Sequence, residues 1–359
     1  MISISFPAMP ILRLLLLALL AAAAPLRAAE LDAPPAGAFT IVVIPDSQGY
    51  DGRATKRTPD STAPLTNPVF QKHTRWIVEN ARTQNIVFVS HVGDIVDINN
   101  REQWQLAREC LDRLHGVVPY GLVVGNHDME NNGDASLFQE FFPAARFRAF
   151  PWYGGCFEAA RPAQNISGDN VNSFQLFAAG GLEFVHINLE CNAPDDVLAW
   201  AGGILTKYSA RRAMISTHMD LGPLNKPTAD DGFFKDPKGR MTWVKVHGKR
   251  GNSPAQMWEK LYSKHANIGF VFSGDQSRTT AMRISAQGSV GNFVHAMLSD
   301  YTSSGPLRLY RFIPAENKVR VITFDTTKRQ LVENTSYVAD PAEHQFTVDY
   351  AMTPPPARP

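Results

Sequence analysis

Cysteine is scarce in this chain of 359 residues: there are three, Cys110, Cys156 and Cys191, and no two of them form a Cys-x-x-Cys pair. That argues against a cysteine-built zinc or dithiol redox centre. An excess of either charge is also missing. Lys and Arg number 35 against 34 Asp and Glu, which argues against a surface dedicated to nucleic acid, where a basic excess is usual. No internal repeat is visible, and beyond the N-terminal segment no apolar run is long enough for a bilayer span, which takes about 20 residues as a helix. Hydrophobic residues still make up 44% of the chain, enough for a large core and too many for a disordered protein.

The N-terminus follows its own pattern. Arg13 precedes the apolar run Leu14–Ala24, and the small residues of Pro25-Leu26-Arg27-Ala28-Ala29 come next. A charge, a short apolar core and small residues at a cut site make a secretory signal, read here as residues 1–29 with cleavage between Ala24 and Ala29. The alternative is an uncleaved anchor, for which the run is short. Export, to a periplasm or to the outside, is the expectation. It permits a disulfide, and Cys156 and Cys191 could pair because both flank expected strands.

Residues 30–38 are rich in Pro, Ala and Gly and read as a linker, 39–351 as one domain, and 352–359 as a Pro-rich tail. Within the domain, Phe39–Ile44, Ile86–Ser90 and Gly121–Val124 are strand-like runs. They alternate with helical patterns over 68–81 and 101–115. Strand and helix in alternation predict parallel strands with crossover helices. Later strand-like runs, among them Ser173–Ala178, Leu182–Leu189, Met214–Thr217, Phe270–Ser273, Leu307–Phe312 and Val319–Phe324, are expected to be more antiparallel. Residues 222–253, basic through Lys235, Lys238, Arg240, Lys245, Lys249 and Arg250, form a long excursion.

Each of the first three strands ends in polar residues: Asp46-Ser47-Gln48, Gly93-Asp94-Ile95-Val96-Asp97 and Gly125-Asn126-His127-Asp128. The carboxyl ends of neighbouring parallel strands lie together, and ligands bind there. Asp46, Gln48, Asp94 and Asn126 should therefore converge, offering two carboxylates and two amide oxygens of the kind hard divalent cations take. His218, after the fourth strand, could add an imidazole. Singly, each residue is as well explained by a turn or a cap; four such clusters together are not.

In order and spacing, Asp-x-Gln, Gly-Asp-x-x-Asp, Gly-Asn-His-Asp and a later His resemble the calcineurin-like metallophosphoesterase superfamily, in an exported Asp-x-Gln form, from about Asp46 to Tyr301. The resemblance implies an α/β fold, a four-layer α-β-β-α sandwich of two mixed sheets flanked by helices. It also implies two divalent ions, drawn from Mn, Fe, Zn or Mg, at one edge. Asp46 and Gln48 would hold the first ion, Asp94 would bridge, and Asn126 and His218 would hold the second. His127 would face the phosphate of a small-molecule ester and stabilise its developing charge or protonate its leaving oxygen, with Asp128 orienting His127. The implied reaction is hydrolysis of a mono- or diester by a metal-activated water.

The pattern breaks at the final Gly-His-x-His motif, which reads Gly274-Asp275-Gln276-Ser277. Two readings follow. Asp275 ligates through oxygen, giving an almost all-oxygen set that favours Mn over Zn, or the fold survives as a non-catalytic binding or scaffold protein. His247 and His295 are the histidines that could stand in. An exported carbohydrate-binding module, resting on Trp152, Tyr153 and Trp243, is a third class.

Overall fold

The computed structural model describes residues 31–158, 166–221, 246–275, 281–338 and 340–352. The segment read as a signal peptide, most of the basic excursion, Trp243, Gln276 and Ser277, and the tail beyond Met352 lie outside them. Among the described residues no helix is long and apolar enough to cross a membrane.

The elements run in chain order as β1 (Phe39–Ile44), α1 (Pro68–Asn80), β2 (Ile86–His91), α2 (Arg101–Asp112), β3 (Tyr120–Leu122), α3 (Ser136–Phe141), β4 (Tyr153–Cys156), β5 (Ser173–Ala179) and β6 (Leu182–Asn188). They continue with α4 (Asp195–Lys207), β7 (Arg212–Ser216), α5 (Pro254–Lys260), β8 (Ile268–Ser273), β9 (Ala281–Gln287), β10 (Phe293–Ser299), β11 (Pro306–Ile313), β12 (Lys318–Asp325), β13 (Gln330–Leu331) and β14 (Gln345–Asp349). One sheet has the order β13-β12-β11-β1-β2-β3, with β14 on β12; the other has the order β4-β5-β6-β7-β8-β10-β9.

Alternation along the strands builds the layers. Ile41 and Val43 of β1 face Phe88, Phe184, Met214, Phe270 and Phe272 in a core between the sheets. Val42 and Ile44, the residues between and after them, pack with Phe70 and Trp76 of α1 and Trp104 of α2. On the far side, Val185, Ile187, Ala213 and Ile215 meet Val197 and Leu198 of α4 and Met257 of α5. A side-chain period of 2 in strands buried on both faces gives the expected four layers, α-β-β-α. Helix α1 begins where Asn67 caps it, accepting the Phe70 N–H at 3.1 Å, with Pro68 in the first turn.

The expectation that the later strands are antiparallel is corrected in part. β5–β6, β9–β10 and β11–β12 are antiparallel, but β6–β7, β7–β8 and β8–β10 are parallel. The β6–β7 crossover is α4, whose Gly202-Gly203 interrupts the helical pattern. Each glycine costs about 1 kcal/mol against alanine in a helix, so the sequence signal there is weak. The consequence matters for function: both sheets send parallel strand ends to the same edge.

The three cysteines are free thiols, so the proposed Cys156–Cys191 pairing is not made. Trp152 stacks on Phe150 at 5.0 Å and meets Tyr120 at 6.0 Å. It is held by local packing rather than displayed for a sugar.

Candidate metal centre at the sheet edge

Three parallel strands of one sheet and two of the other deliver the polar residues. Asp46 follows β1, Asp94 follows β2 through Gly93, and Asn126 follows β3 through Gly125. His218 follows β7, and Asp275 follows β8 through Gly274. A backbone bond ties the two sheets at this edge, Cys191 N–H to the Val124 carbonyl at 2.9 Å, and within the second sheet the Gly274 N–H donates to the His218 carbonyl at 2.9 Å.

Glycine precedes three of these residues because no side chain fits. A Cβ on Gly125 would collide with the Asp94 carboxylate, one on Gly274 with that of Asp46, and one on Gly93 with the His218 ring. Gly93 and Asp94 both take positive φ, 102° and 49°, which aspartate tolerates better than most residues.

The result is a cluster of acceptors. Asp46, Asp94 and His218 each offer one ligand atom, all within 4.8 Å of one another, and all three residues are buried. His218 Nδ1 donates to the Val92 carbonyl at 2.9 Å, which turns Nε2 inward. There Nε2 stands 3.1 Å from Asp94 Oδ1, 3.1 Å from Asn126 Oδ1 and 3.6 Å from Asp275 Oδ1. The Asp275 amide in turn donates to Asp46 Oδ2 at 3.2 Å. Gln48 Oε1 is buried with no hydrogen-bond partner.

So many buried acceptors facing one point require positive charge. Protons provide it here. Burial and the nearby Asp300 hold the Asp46 carboxyl well above its ordinary range. Burial would depress His218, but Asp94 and Asp46 outweigh it and raise the imidazolium well above its usual value. Burial likewise works against the Asp94 carboxylate, yet His218 brings it down to about 2. One or two divalent cations would take the place of these protons, and the orphaned Gln48 oxygen and the oxygen-rich set fit such ions.

His127 borders the cluster. Its amide donates to Asp94 Oδ1 at 2.9 Å, and its ring Nε2 lies 3.9 Å from Asp94 Oδ2 with the side chain 25% exposed. Asp128 does not orient it. The fully buried Asp128 carboxylate accepts the Gly125 and Val96 amides at 2.8 and 2.9 Å, closing the turn that carries Asn126. The ring is instead held at Nδ1 by the Asp97 carbonyl, 2.8 Å away. Lys56 Nζ also lies 2.8 Å from Nδ1.

The two stand-in histidines are elsewhere. His247 Nε2 sits 3.0 Å from the Cys191 carbonyl and 3.3 Å from buried Glu190. His295 is held by Ser285 and the Asp349 carbonyl. Two residues beside the site were not assigned to it from the sequence, although Asp300-Tyr301 fits the family pattern. Asp300, 3% exposed, follows β10, whose parallel pairing with β8 brings it beside Asp46. Lys56 comes from the aperiodic loop after β1.

A family model described as calcineurin-like phosphoesterase matches residues 39–278. The uncharacterized protein YvnB of Bacillus subtilis (strain 168) is 26% identical over 306 residues, which cover 82% of this chain and 20% of that protein. The chain thus spans a fifth of that relative's length. Among solved structures, the purple acid phosphatase PPD1 from yellow lupin (Lupinus luteus) seeds is similar with a TM-score of 0.47 at 11% identity, over 89% of this chain and 55% of that one. The 5'-nucleotidase precursor from Thermus thermophilus is similar with a TM-score of 0.46 at 12% identity, over 82% of this chain and 53% of that one.

Proposed function

We propose the activity from a plain premise: the chain belongs to the calcineurin-like phosphoesterase family, and its strand-end cluster carries out metal-dependent hydrolysis of a small-molecule phosphate ester, mono- or diester. The observation that carries this reading is the convergence of Asp46, Asp94 and His218 within 4.8 Å, with Asn126 Oδ1 at 3.1 Å from the same His218 nitrogen. Asp46 and Gln48 would hold one cation, Asn126 and His218 a second, with Asp94 shared between them, and Asp275 would add oxygen in place of the imidazole the family pattern would supply.

Divalent cations bound there supply Lewis-acid polarisation of the phosphoryl oxygens and lower the pKa of water. The remaining chemistry belongs to the chain. His127 presents Nε2 at the rim of the cluster, where it hydrogen-bonds a phosphoryl oxygen and gives a proton to the leaving oxygen. The Asp97 carbonyl fixes the ring from behind. Asp128 holds the turn that presents Asn126 and His127. With an almost all-oxygen set, Mn supports the reaction better than Zn. The leader-like segment at residues 1–29 supports an exported protein, which N-terminal sequencing of the mature chain tests.

The experiment for the activity is hydrolysis of 4-nitrophenyl phosphate and bis(4-nitrophenyl) phosphate by the purified protein, stripped with chelator and resupplied with Mn. Turnover that returns with Mn and is absent in Asp94→Ala supports the reading. No turnover of any phosphate ester with Mn, Zn, Fe or Mg favours the scaffold reading instead.

A further inference from the structure

Between the two turns that carry Asp46 and Asp94 stands a histidine that the proposed chemistry does not use. His91 is the last residue of β2, paired with Ile44 of β1, and is 1% exposed. Phe70 of α1 meets its ring edge-on at 5.5 Å. Burying an imidazole beside apolar side chains costs stability unless its nitrogens are bonded, and both are. The Gly93 amide donates to Nδ1 at 3.1 Å, and Nε2 lies 2.9 Å from Ser47 Oγ. Ser47 Oγ in turn donates to the Ile95 carbonyl at 3.2 Å.

These bonds fix where the ring proton is. Nδ1 accepts an amide proton and so carries none. The proton is on Nε2 and is given to Ser47 Oγ, whose own proton goes on to Ile95. The chain of bonds therefore holds one neutral tautomer and runs in one direction, Gly93 to His91 to Ser47 to Ile95. Its two ends are the ligand turns: Ser47 lies between Asp46 and Gln48, and Gly93 precedes Asp94.

Asp94 needs such a hold. Gly93 and Asp94 have φ of 102° and 49°, and a non-glycine residue stays in the left-handed region only where its surroundings fix it. Among the described residues, the Gly93 amide has the His91 ring as its partner. Ser47 depends on the ring less. Its amide also donates to the Asp94 carbonyl at 3.0 Å, and Asn67 Nδ2 donates to its carbonyl at 2.6 Å.

We propose that His91 is a positioning residue of the metal centre: as a neutral imidazole protonated at Nε2, it sets the spacing between the Asp46–Gln48 turn and the Gly93-Asp94 turn that cation binding requires. The inference rests on the metal-dependent hydrolase reading above and extends it from the residues that would bind ions to the one that spaces them.

The test is the Mn affinity of the metal-stripped full-length protein, followed by the EPR signal of free Mn, which needs no turnover. His91→Phe keeps a buried ring and loses both bonds. Its dissociation constant for Mn should rise by roughly tenfold to a hundredfold, the range for lost support behind metal ligands. A general loss of stability does not imitate this result, because a chain still fully folded at the start of the titration keeps its affinity. Denaturant unfolding of each variant checks that condition. Two further variants divide the bonds of the ring. His91→Asn sets an amide oxygen where Nδ1 stands and keeps the Gly93 amide; His91→Gln sets an amide N–H where Nε2 stands and keeps Ser47. His91→Asn should bind Mn more tightly than His91→Gln, because Gly93 depends on the ring more than Ser47 does. If His91→Phe does not fold, that comparison decides alone. Unchanged affinity in a folded His91→Phe overturns the inference, as does His91→Gln binding Mn at least as tightly as His91→Asn. A wild type that binds no Mn overturns both this inference and the hydrolase reading. A wild type that binds Mn but hydrolyses no ester, with binding weakened in the variants as described, keeps His91 as a positioning residue and overturns the hydrolase reading alone.

Discussion

His218 Nε2 lies 3.1 Å from Asp94 Oδ1, while the other nitrogen of the same ring is tied to the Val92 carbonyl at 2.9 Å. That pairing joins the second sheet to the first and aims a ring nitrogen and a carboxylate at a single point. Without a cation the ring is protonated, because Asp94 and Asp46 outweigh the effect of burial. Binding a divalent ion must then expel the proton. We predict that calorimetric titration with Mn at neutral pH, run in two buffers of different ionisation enthalpy, reports release of at least one proton per ion. Apparent affinity should rise with pH. In Asp94→Ala the binding heat should vanish.

His127→Ala should leave Mn content nearly unchanged and lower kcat by roughly 10²–10⁴-fold, the range for loss of a general acid. Metal analysis beside steady-state kinetics checks both halves. Equal activity in the variant removes His127 from the mechanism.

Asp128 should behave differently, since it closes a turn and does not touch His127. Replacing it by Asn sets an amide N–H against one of the two backbone donors, Gly125 and Val96. A buried donor left unsatisfied costs on the order of 1–3 kcal/mol. Denaturant unfolding of Asp128→Asn in chelator should show that loss. A variant as stable as the wild type but slower in turnover would return Asp128 to the role of orienting His127.

The contrast between these two residues shows what the sequence made legible. Gly93-Asp94-x-x-Asp97 and Gly125-Asn126-His127-Asp128 end adjacent parallel strands, so their meeting at one edge follows from alternating strand and helix patterns. The contacts of Asp128 depend on which amides the folded turn presents, and spacing does not encode that. The place of Asp300 beside Asp46 was hidden for a different reason. It joins the edge only because β10 lies parallel to β8, and strand order in the second sheet was obscured by the glycine pair in α4. Lys56 sits in a loop with no period to read.

Acid should destabilise the protein through three buried neutral histidines. Burial brings His73 down to about 4, His91 to about 3 and His186 to about 3. The unfolded chain takes up these protons near pH 6.5, and the folded chain resists them until its lower values. The stabilisation is therefore complete above about pH 6.5 and is lost as pH falls towards 4 to 3. Between pH 7 and pH 5 each such histidine should cost about 2 kcal/mol. His73→Gln should show a shallower fall in denaturant stability over that interval than the wild type. An identical slope contradicts the assignment.

Asp275→His would restore the imidazole of the family pattern and remove one negative charge from the ligand set. Zn-supported turnover should rise relative to Mn-supported turnover, because nitrogen donors suit zinc better than the hard cations. If neither the rate nor the metal preference changes, Asp275 is no ligand.

Anomalous diffraction at the manganese edge, from crystals of the protein equilibrated with MnCl2, tests the central claim most directly. We expect a peak at about 2.0–2.6 Å from Asp94 and His218, with Asn126 or Asp46 completing the same ion's ligands. Crystals that take up manganese elsewhere, with no peak between Asp94 and His218, would contradict a metal centre at the sheet edge and the hydrolytic activity proposed for it.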